Sequence, residues 1–358
     1  MEFHLFGESC KYSNLSPGFS QNPSTGIGPL KNLIIRPAAL ADVGVVDSLF
    51  ERVFGFHRTP GMWQWLYHDT PAGEGISLLA EKNGRVIGHA GAVLRAFRAD
   101  GQTTLCAQSV NAMTDPDYQR QGINKQLFQA LLEELRSRDV RYLCGFSNEN
   151  STHGVLQHQE RTALDPFPVL IRPLKVVRRP WRTFIRDRSE IPPKPADIPK
   201  AVEALYQKAW GEHQIGNLRD HTYLNWRYAR PGGTYQAVEV WNQAQLSAFA
   251  VLGLRRQRGF RVGFVMDCVA NEPAAWKALR QAIKKTAVGL DCDLLCALGY
   301  EGSIARRQFK RGGYIPVPRR VNPEELVFSI RGVPEPLLSA SMQDKSQWIL
   351  TWGDTDLV

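Results

Sequence analysis

The sequence predicts an α/β (α+β) chain: mixed, mostly antiparallel sheet flanked by helices, with the unit duplicated and its second copy degenerate. Three observations predict it. Strand-like runs between residues 77 and 114 are joined by Asn83-Gly84 and Asp100-Gly101, dipeptides that favour tight hairpins because both residues tolerate a left-handed backbone. Residues 125–147 then switch from an amphipathic helical rhythm to a short apolar run, a change of period from helix to strand. The order strand, strand, strand, helix, strand, helix in residues 77–160 recurs weakly between 235 and 313, the signature of an internal duplication.

LIIRP (33–37) reads as a short buried strand. Asp42 can cap a helix whose apolar face is Val45, Val46, Leu49, Phe50 and Val53. Residues 56–71 are aromatic and rich in turn formers, and ISLLAE (76–81), RVIGHAGAVLRAF (85–97) and TTLCAQSVNAMT (103–114) make a meander. DPDYQRQGIN (115–124) is a loop, and the helix after it sets Leu127, Phe128, Leu131, Leu132 and Leu135 on one face. VRYLCGFS (140–147) is a strand, with a further helix from about Asn150.

In the second half, residues 201–210 form a helix, and 235–241, 246–257 and 261–270 form strands. A helix with Pro273 in its first turn follows, then a strand at 293–300 and a helix ending at Gly312-Gly313. WILTWGDTDLV (348–358) is expected to end in a strand joining either sheet. Proline-rich PPKPADIP (192–199) marks a boundary. The expected division is a tail over 1–32, an N-terminal domain over 33–188, a C-terminal domain over 189–335 and an extension over 336–358.

A chain of 358 residues can bury two ordinary cores. No apolar run approaches the roughly 20 residues that cross a bilayer, which excludes a helical membrane span. The first residues lack a basic segment followed by an apolar run, so no signal peptide is expected and the cytoplasm is the predicted location. The six cysteines are scattered without a CxxC, so buried free thiols and no metal are expected. The net charge of +9 favours anionic partners. Nucleic acid, anionic lipid, coenzyme A and acyl carrier protein all qualify on charge.

The chemistry concentrates in VNAMTDPDYQRQGINKQLF (110–128). A strand enters a one-glycine loop that opens a helix. A helix N-terminus offers unpaired N–H groups and the positive end of its dipole to a pyrophosphate. Gly122 lets the backbone approach closely, and Arg120 and Lys125 add positive charge.

Here the chain resembles the GNAT acyltransferase family, over about Leu33 to Gln159 and in outline beyond. Gln119, Arg120, Gln121, Gly122, Ile123 and Asn124 occupy the family's phosphate loop, with Asn124 standing where the family has Gly or Ala. The resemblance implies the GNAT fold, an acyl-coenzyme A donor such as acetyl-coenzyme A, and no metal. It implies a pyrophosphate around Gln119 to Lys125 and a pantetheine arm paired with the backbone of Ala112, Met113 and Thr114. The strand at 142–147 would splay from its neighbour to admit the thioester, with Asn148 or Asn150 contacting the arm. The family's tyrosine acid has no counterpart between Ser151 and Gln159, which leaves His153 and His158 as candidate acids. For the base, His68, Asp69, Glu81 and Asp267 are candidates, Asp267 foremost because FVMDCV places a carboxylate in an apolar strand.

The second half has VANEPAAW instead of a phosphate loop, so it is expected to bind no coenzyme A and to help wall the acceptor pocket. MWQWLY (62–67) and TYLNWRY (222–228) are candidate pocket linings. The basic run over 172–188 reads first as a solvated linker, next as a dock for acyl carrier protein or an anionic membrane surface, and only third as a nucleic-acid contact. The expected activity is acyl-coenzyme A-dependent N-acyl transfer, acetyl to a primary amine of a small molecule or sugar by direct attack. The alternatives are long-chain transfer from acyl carrier protein and a non-catalytic acyl-coenzyme A-binding scaffold or sensor.

Overall fold

The computed structural model describes residues 32–147, 149–164, 169–175, 191–209, 214–257, 259–300, 302–318 and 327–355. From β1 (Leu33–Pro37) the chain passes through α1 (Val43–Phe54) and α2 (Met62–Tyr67) into β2 (Ile76–Lys82), β3 (Arg85–Ala99) and β4 (Gln102–Thr114). Then come α3 (Ile123–Ser137), β5 (Tyr142–Ser147), α4 (Glu149–His158), β6 (Thr162–Ala163) and β7 (Val169–Pro173). The second half runs α5 (Val202–Ala209), β8 (Gly216–Asn217), α6 (His221–Tyr228), β9 (Tyr235–Asn242), β10 (Gln245–Gln257), β11 (Phe260–Ala270), α7 (Pro273–Gly289), β12 (Leu294–Leu298) and α8 (Ile304–Arg311). It closes with β13 (Ile315–Pro316), β14 (Val327–Gly332) and α9 (Ala340–Gln343).

Local chemistry accounts for most of these elements. Asn83, Gly84, Asp100 and Gly101 all have positive φ, as tight hairpins of this type require. The α1 face buries Val46, Leu49 and Phe50 but leaves Val45 exposed. Asp42 does not cap α1 with its side chain. Its carboxylate turns back to the Ala39 N–H and pairs with Arg36, because the chain makes a short 3₁₀ turn there first. The expected five apolar positions of α3 are all buried, with Ile123 alongside them.

The two sheets trade strands. One is ordered β1-β2-β3-β4-β5-β14-β6, with β8 added on β3, and the other β13-β7-β12-β11-β10-β9. Strand β14, from the second half, pairs antiparallel with β5 and β6 of the first. Strand β7, from the first half, pairs antiparallel with β12 and β13 of the second. Both exchanges therefore cross the boundary expected at 188, because each half supplies a strand to its neighbour's sheet. The helix-strand order around each sheet is otherwise the same, as duplication predicts.

A large apolar cluster lies between the sheets, and smaller clusters lie under α3 and under α7. Within the large one, Trp65 of α2 stacks on Trp226 of α6 with ring centroids 4.7 Å apart and planes 11° from parallel. Each indole N–H donates to the other residue's carbonyl, at 2.8 and 3.0 Å. The two aromatic segments thus pack on each other as equivalents of a local two-fold. They flank an open depression of about 560 Å³ lined by Gly61, Gln64, Trp65, Asp69, Asn225 and Trp226, among others.

A buried ionic group joins the sheets. Arg219 donates to Asp267 of β11 and to Asp354, both at 2.6 Å, with all three side chains 1% exposed. Burial opposes the charge on Arg219, but the two carboxylates hold its pKa well above the ordinary value. Asp354 also accepts from Asn217 of β8 at 2.7 Å, and its carbonyl accepts from Gln108 of β4 at 3.0 Å. Within the segment expected to end in a strand, Trp352–Asp354 is a buried 3₁₀ turn whose Asp354 is held by this group, and residues 356–358 lie outside the described residues. Replacing Arg219 by Met leaves two carboxylates buried without their cation. It is expected to cost about 3–5 kcal/mol, read as a lower urea midpoint with an unchanged slope.

Candidate active site

Strands β4 and β5 run parallel and pair from Cys106↔Tyr142 to Gln108↔Cys144. Beyond that point β4 continues to Thr114 and β5 to Ser147 without pairing to each other. The far edge of β5 is taken by β14 from Ser147 back to Tyr142, and that of β4 by β3. The strands are drawn apart into a fork. Ser109 spans its base, its hydroxyl donating to the Cys144 carbonyl at 3.2 Å. The splay expected at this strand pair is present.

One arm of the fork is bulged. The register of β3 and β4 shifts between His89↔Met113 and Gly91↔Val110, and Asn111 has φ 51°. A second residue is thereby inserted opposite one, which twists the strand and re-aims its backbone. His89 lies beneath the bulge. Its Nδ1 is 2.7 Å from the Asn111 carbonyl and its Nε2 is 2.9 Å from the Ser77 hydroxyl. A carbonyl only accepts, so Nδ1 carries the proton and Nε2 accepts from Ser77. Asn111 in turn donates to the Tyr67 hydroxyl at 3.3 Å. Of the expected pantetheine-pairing positions, Ala112 is exposed, Thr114 half-buried and Met113 buried in the core, so Met113 can contribute backbone only.

The loop after β4 is held at its root. The buried Asp115 carboxylate binds Arg85 at 2.9 Å and Arg52 at 3.1 Å and accepts from the Asp117 N–H at 3.2 Å. Arg120 and Gly122 both take positive φ, 62° and 77°. Gly122 is the N-cap of α3 and makes no side-chain cap, and nothing lies within 4 Å of where its Cβ would be. Gln119, Arg120, Asn124 and Lys125 are exposed and Gln121 is half-buried, while Ile123 is sunk into the core against Gly88. An exposed Asn124 does not crowd the turn. Free N–H groups at the head of a 15-residue helix, open space at Gly122 and nearby cations fit a pyrophosphate, and the fork fits the arm that follows it.

The candidate catalytic residues are scattered. His153 and His158 stand exposed on α4. Asp267 is enclosed: it is held by Arg219, by Tyr228 and by Thr351 at 3.0 Å, so its carboxylate is committed to the ionic group between the sheets. Glu81 pairs with Arg36, His68 with Glu74, and Asp69 accepts from Gln64. Asn148 lies outside the described residues, as does the basic run beyond residue 175; Asn150 sits in α4, with its side chain likewise outside. Sequence reasoning passed over Arg161, which reaches Ser109 at the fork; it follows α4 with no motif around it. Among the described residues no cluster of His, Cys, Asp and Glu could hold a metal ion, and no helix is long and apolar enough to cross a membrane.

Residues 34–153 match the family described as Acetyltransferase (GNAT) domain. No curated protein matches the chain. Among solved structures, the fold is similar to a GCN5-related N-acetyltransferase from Anabaena variabilis, at TM-score 0.63 and 12% identity, over 84% of this chain and 73% of that one. It is also similar to Saccharomyces cerevisiae N-myristoyltransferase with bound myristoyl-CoA, at 0.55 and 11%, over 87% and 80%. Eis1 from Mycobacterium abscessus is similar at 0.53 and 15%, over 84% and 73%. The GNAT acetyltransferase domain match thus falls on residues 34–153, within an α/β fold of mostly antiparallel sheet flanked by helices.

His89 supplies a test of this geometry. Burial, the largest influence, lowers its pKa to about 4, and the Arg58 charge adds to this against the Asn111 hydrogen bond. The unfolded chain takes up the proton below about pH 6.5, whereas the folded site resists it down to about pH 4. Stability is therefore expected to fall by about 3 kcal/mol as pH drops across that window. Urea midpoints across it should slope in the native protein and flatten in His89→Gln.

Proposed function

We propose that the protein is an acyl-coenzyme A-dependent N-acyltransferase that moves an acyl group, acetyl foremost, to a primary amine of a small molecule or sugar by direct attack. The carrying observation is the open β4–β5 fork leading, along a bulged strand, to the Gly122 turn at the head of α3. In this reading the N–H groups after Gly122, with Arg120 and Lys125, hold the pyrophosphate. The backbone from Ala112 to Thr114 pairs with the pantetheine arm. Donors at the bulge near Met113 polarise the thioester carbonyl, since a re-aimed backbone N–H is a preorganised donor for developing negative charge. The donor supplies the activated acyl carbon, and the protein excludes water and aligns the amine.

One observation supports confining the donor to the first half. The equivalent strands β11 and β12 also pair for only three residues, Val262↔Leu294 to Phe264↔Cys296. There the turn at 352–354 packs in: Trp352 meets Phe264 edge-on at 5.4 Å, and Gly353 lies against the Met266 carbonyl. In the proposed division of labour, the second half supplies packing and acceptor walls.

A longer acyl chain is the second reading, supported by the fold shared with a protein whose structure holds myristoyl-CoA. Carrier-protein donation through residues 172–188 belongs with it. Thermal shift decides among these, using acetyl-coenzyme A, coenzyme A and a long-chain acyl-coenzyme A on the native protein and on Gly122→Glu. The substitution places a carboxylate at the proposed pyrophosphate site and strains a left-handed residue by about 1–2 kcal/mol. Acetyl-coenzyme A is expected to raise the native melting temperature and to leave the variant unmoved. A larger shift with the long chain selects the second reading. A native protein that responds to none of the three removes the donor site altogether.

A further inference from the structure

Arg161 lies in the fork without a counter-ion among the described residues. It leaves the end of α4 just before β6, which pairs with β14, and its guanidinium reaches past β5 to the hydroxyl of Ser109 on β4, at 3.1 Å. Gly145 of β5 makes room for this arm. A Cβ there would stand 2.9 Å from Arg161 Nη1 and would also strike the Ser109 hydroxyl. The residue is 7% exposed. Its Nε has no hydrogen-bond partner, and among the described residues no carboxylate pairs with it. The Phe128 ring of α3 faces it at 5.9 Å. A buried cation left unneutralised is costly, and one placed in a ligand channel is suited to a charge that arrives with the ligand.

The position says which charge. Ser109 lies five residues before Thr114 on β4, roughly 16 Å at the rise of a strand. That is on the scale of an extended pantetheine arm whose pyrophosphate end is held after Thr114. The group reaching the base of the fork is then the sulfur. We propose that Arg161 is a catalytic residue that stabilises the departing thiolate of the acyl donor at the base of the β4–β5 fork. This rests on the fork being the donor site. As the acceptor nitrogen bonds to the acyl carbon, the carbon–sulfur bond breaks and its electron pair stays on sulfur beside the guanidinium. The proton lost by nitrogen passes to solvent and finally to the sulfur, which leaves the amide and free coenzyme A.

The protein's own sulfurs already register this field. Cys106 and Cys144 lie on the two strands with their Sγ atoms 3.6 Å apart. Burial raises the Cys106 thiol and the contact with Cys106 lowers that of Cys144, while the charges of Arg161 and Arg95 favour the thiolate at both. The other charges around this region are Arg331, beside Arg161, and Asp354, which opposes a thiolate at Cys144. Burial draws the pKa of Arg161 itself down to about 10, so it remains charged at neutral pH.

The test needs no acceptor. The thiolate absorbance of coenzyme A bound to the native protein is titrated against pH, with desulfo-coenzyme A as the blank so that protein cysteines cancel. The bound thiol is expected to lose its proton about one unit or more below the free thiol, equivalent to about tenfold favouring of the thiolate. Arg161→Met should return the titration to that of free coenzyme A, and Arg161→Lys should keep part of the shift. A native complex that titrates with the free thiol overturns the proposal even if neither variant folds. So does an Arg161→Met variant that keeps the full shift. If both coenzyme A and its desulfo analogue bind normally, only the role of Arg161 falls. If neither binds, the donor site falls and this role with it.

Discussion

The structure depends on one arginine being paid for twice. Arg219 is buried with two carboxylates, one on the second sheet and one on the turn at 352–354, and that turn is itself bonded to β4 and β8 of the first sheet. Each ion would be prohibitive alone in this interior. Together they act only if both sheets and the terminal turn are in place, so the group reports on assembly as much as it contributes to it. Arg227 extends the arrangement, donating to the carbonyls of Gly353 at 2.7 Å and Thr355 at 2.9 Å. Residues 352–355 are therefore part of the interior.

That frame explains how a fork can stay open. Paired strands tend to zip, since every unpaired backbone group in an interior is a loss. Here β5 is held on its far side by β14, a strand supplied from beyond residue 326, while β4 is bent by the bulge at Asn111. His89 braces the bulge from below through its carbonyl bond, and Asp115 pins the loop beyond it to α1 and β3. The fork is thus a product of pairings made elsewhere.

Much of this was legible in the residues. Hairpins announced by Asn-Gly and Asp-Gly, the apolar stripe of α3 and the glycine turn at its head depend on neighbours in sequence, so pattern alone exposes them. The strand exchange was not legible, because β7 and β14 look like any short apolar run and their partners are remote. Asp267 misled for the same reason: a carboxylate in an apolar strand signals a perturbed environment, and whether that environment is a catalytic cleft or an ion pair is decided by Arg219, 48 residues away. Arg161 carried no signal at all. Nor does pattern alone tell how a side chain on α4 is placed: the imidazoles of His153 and His158 both face solvent.

The reciprocal placement of β7 and β14 also bears on ancestry. Two copies that each keep their own strands can drift apart, and one can be discarded once it stops working. Copies that have exchanged a strand cannot. Excising the second would strip β14 from the sheet that bears the fork, and excising the first would strip β7 from its twin. A half with no phosphate loop is retained, in these terms, because it supplies a strand to the sheet that bears the fork.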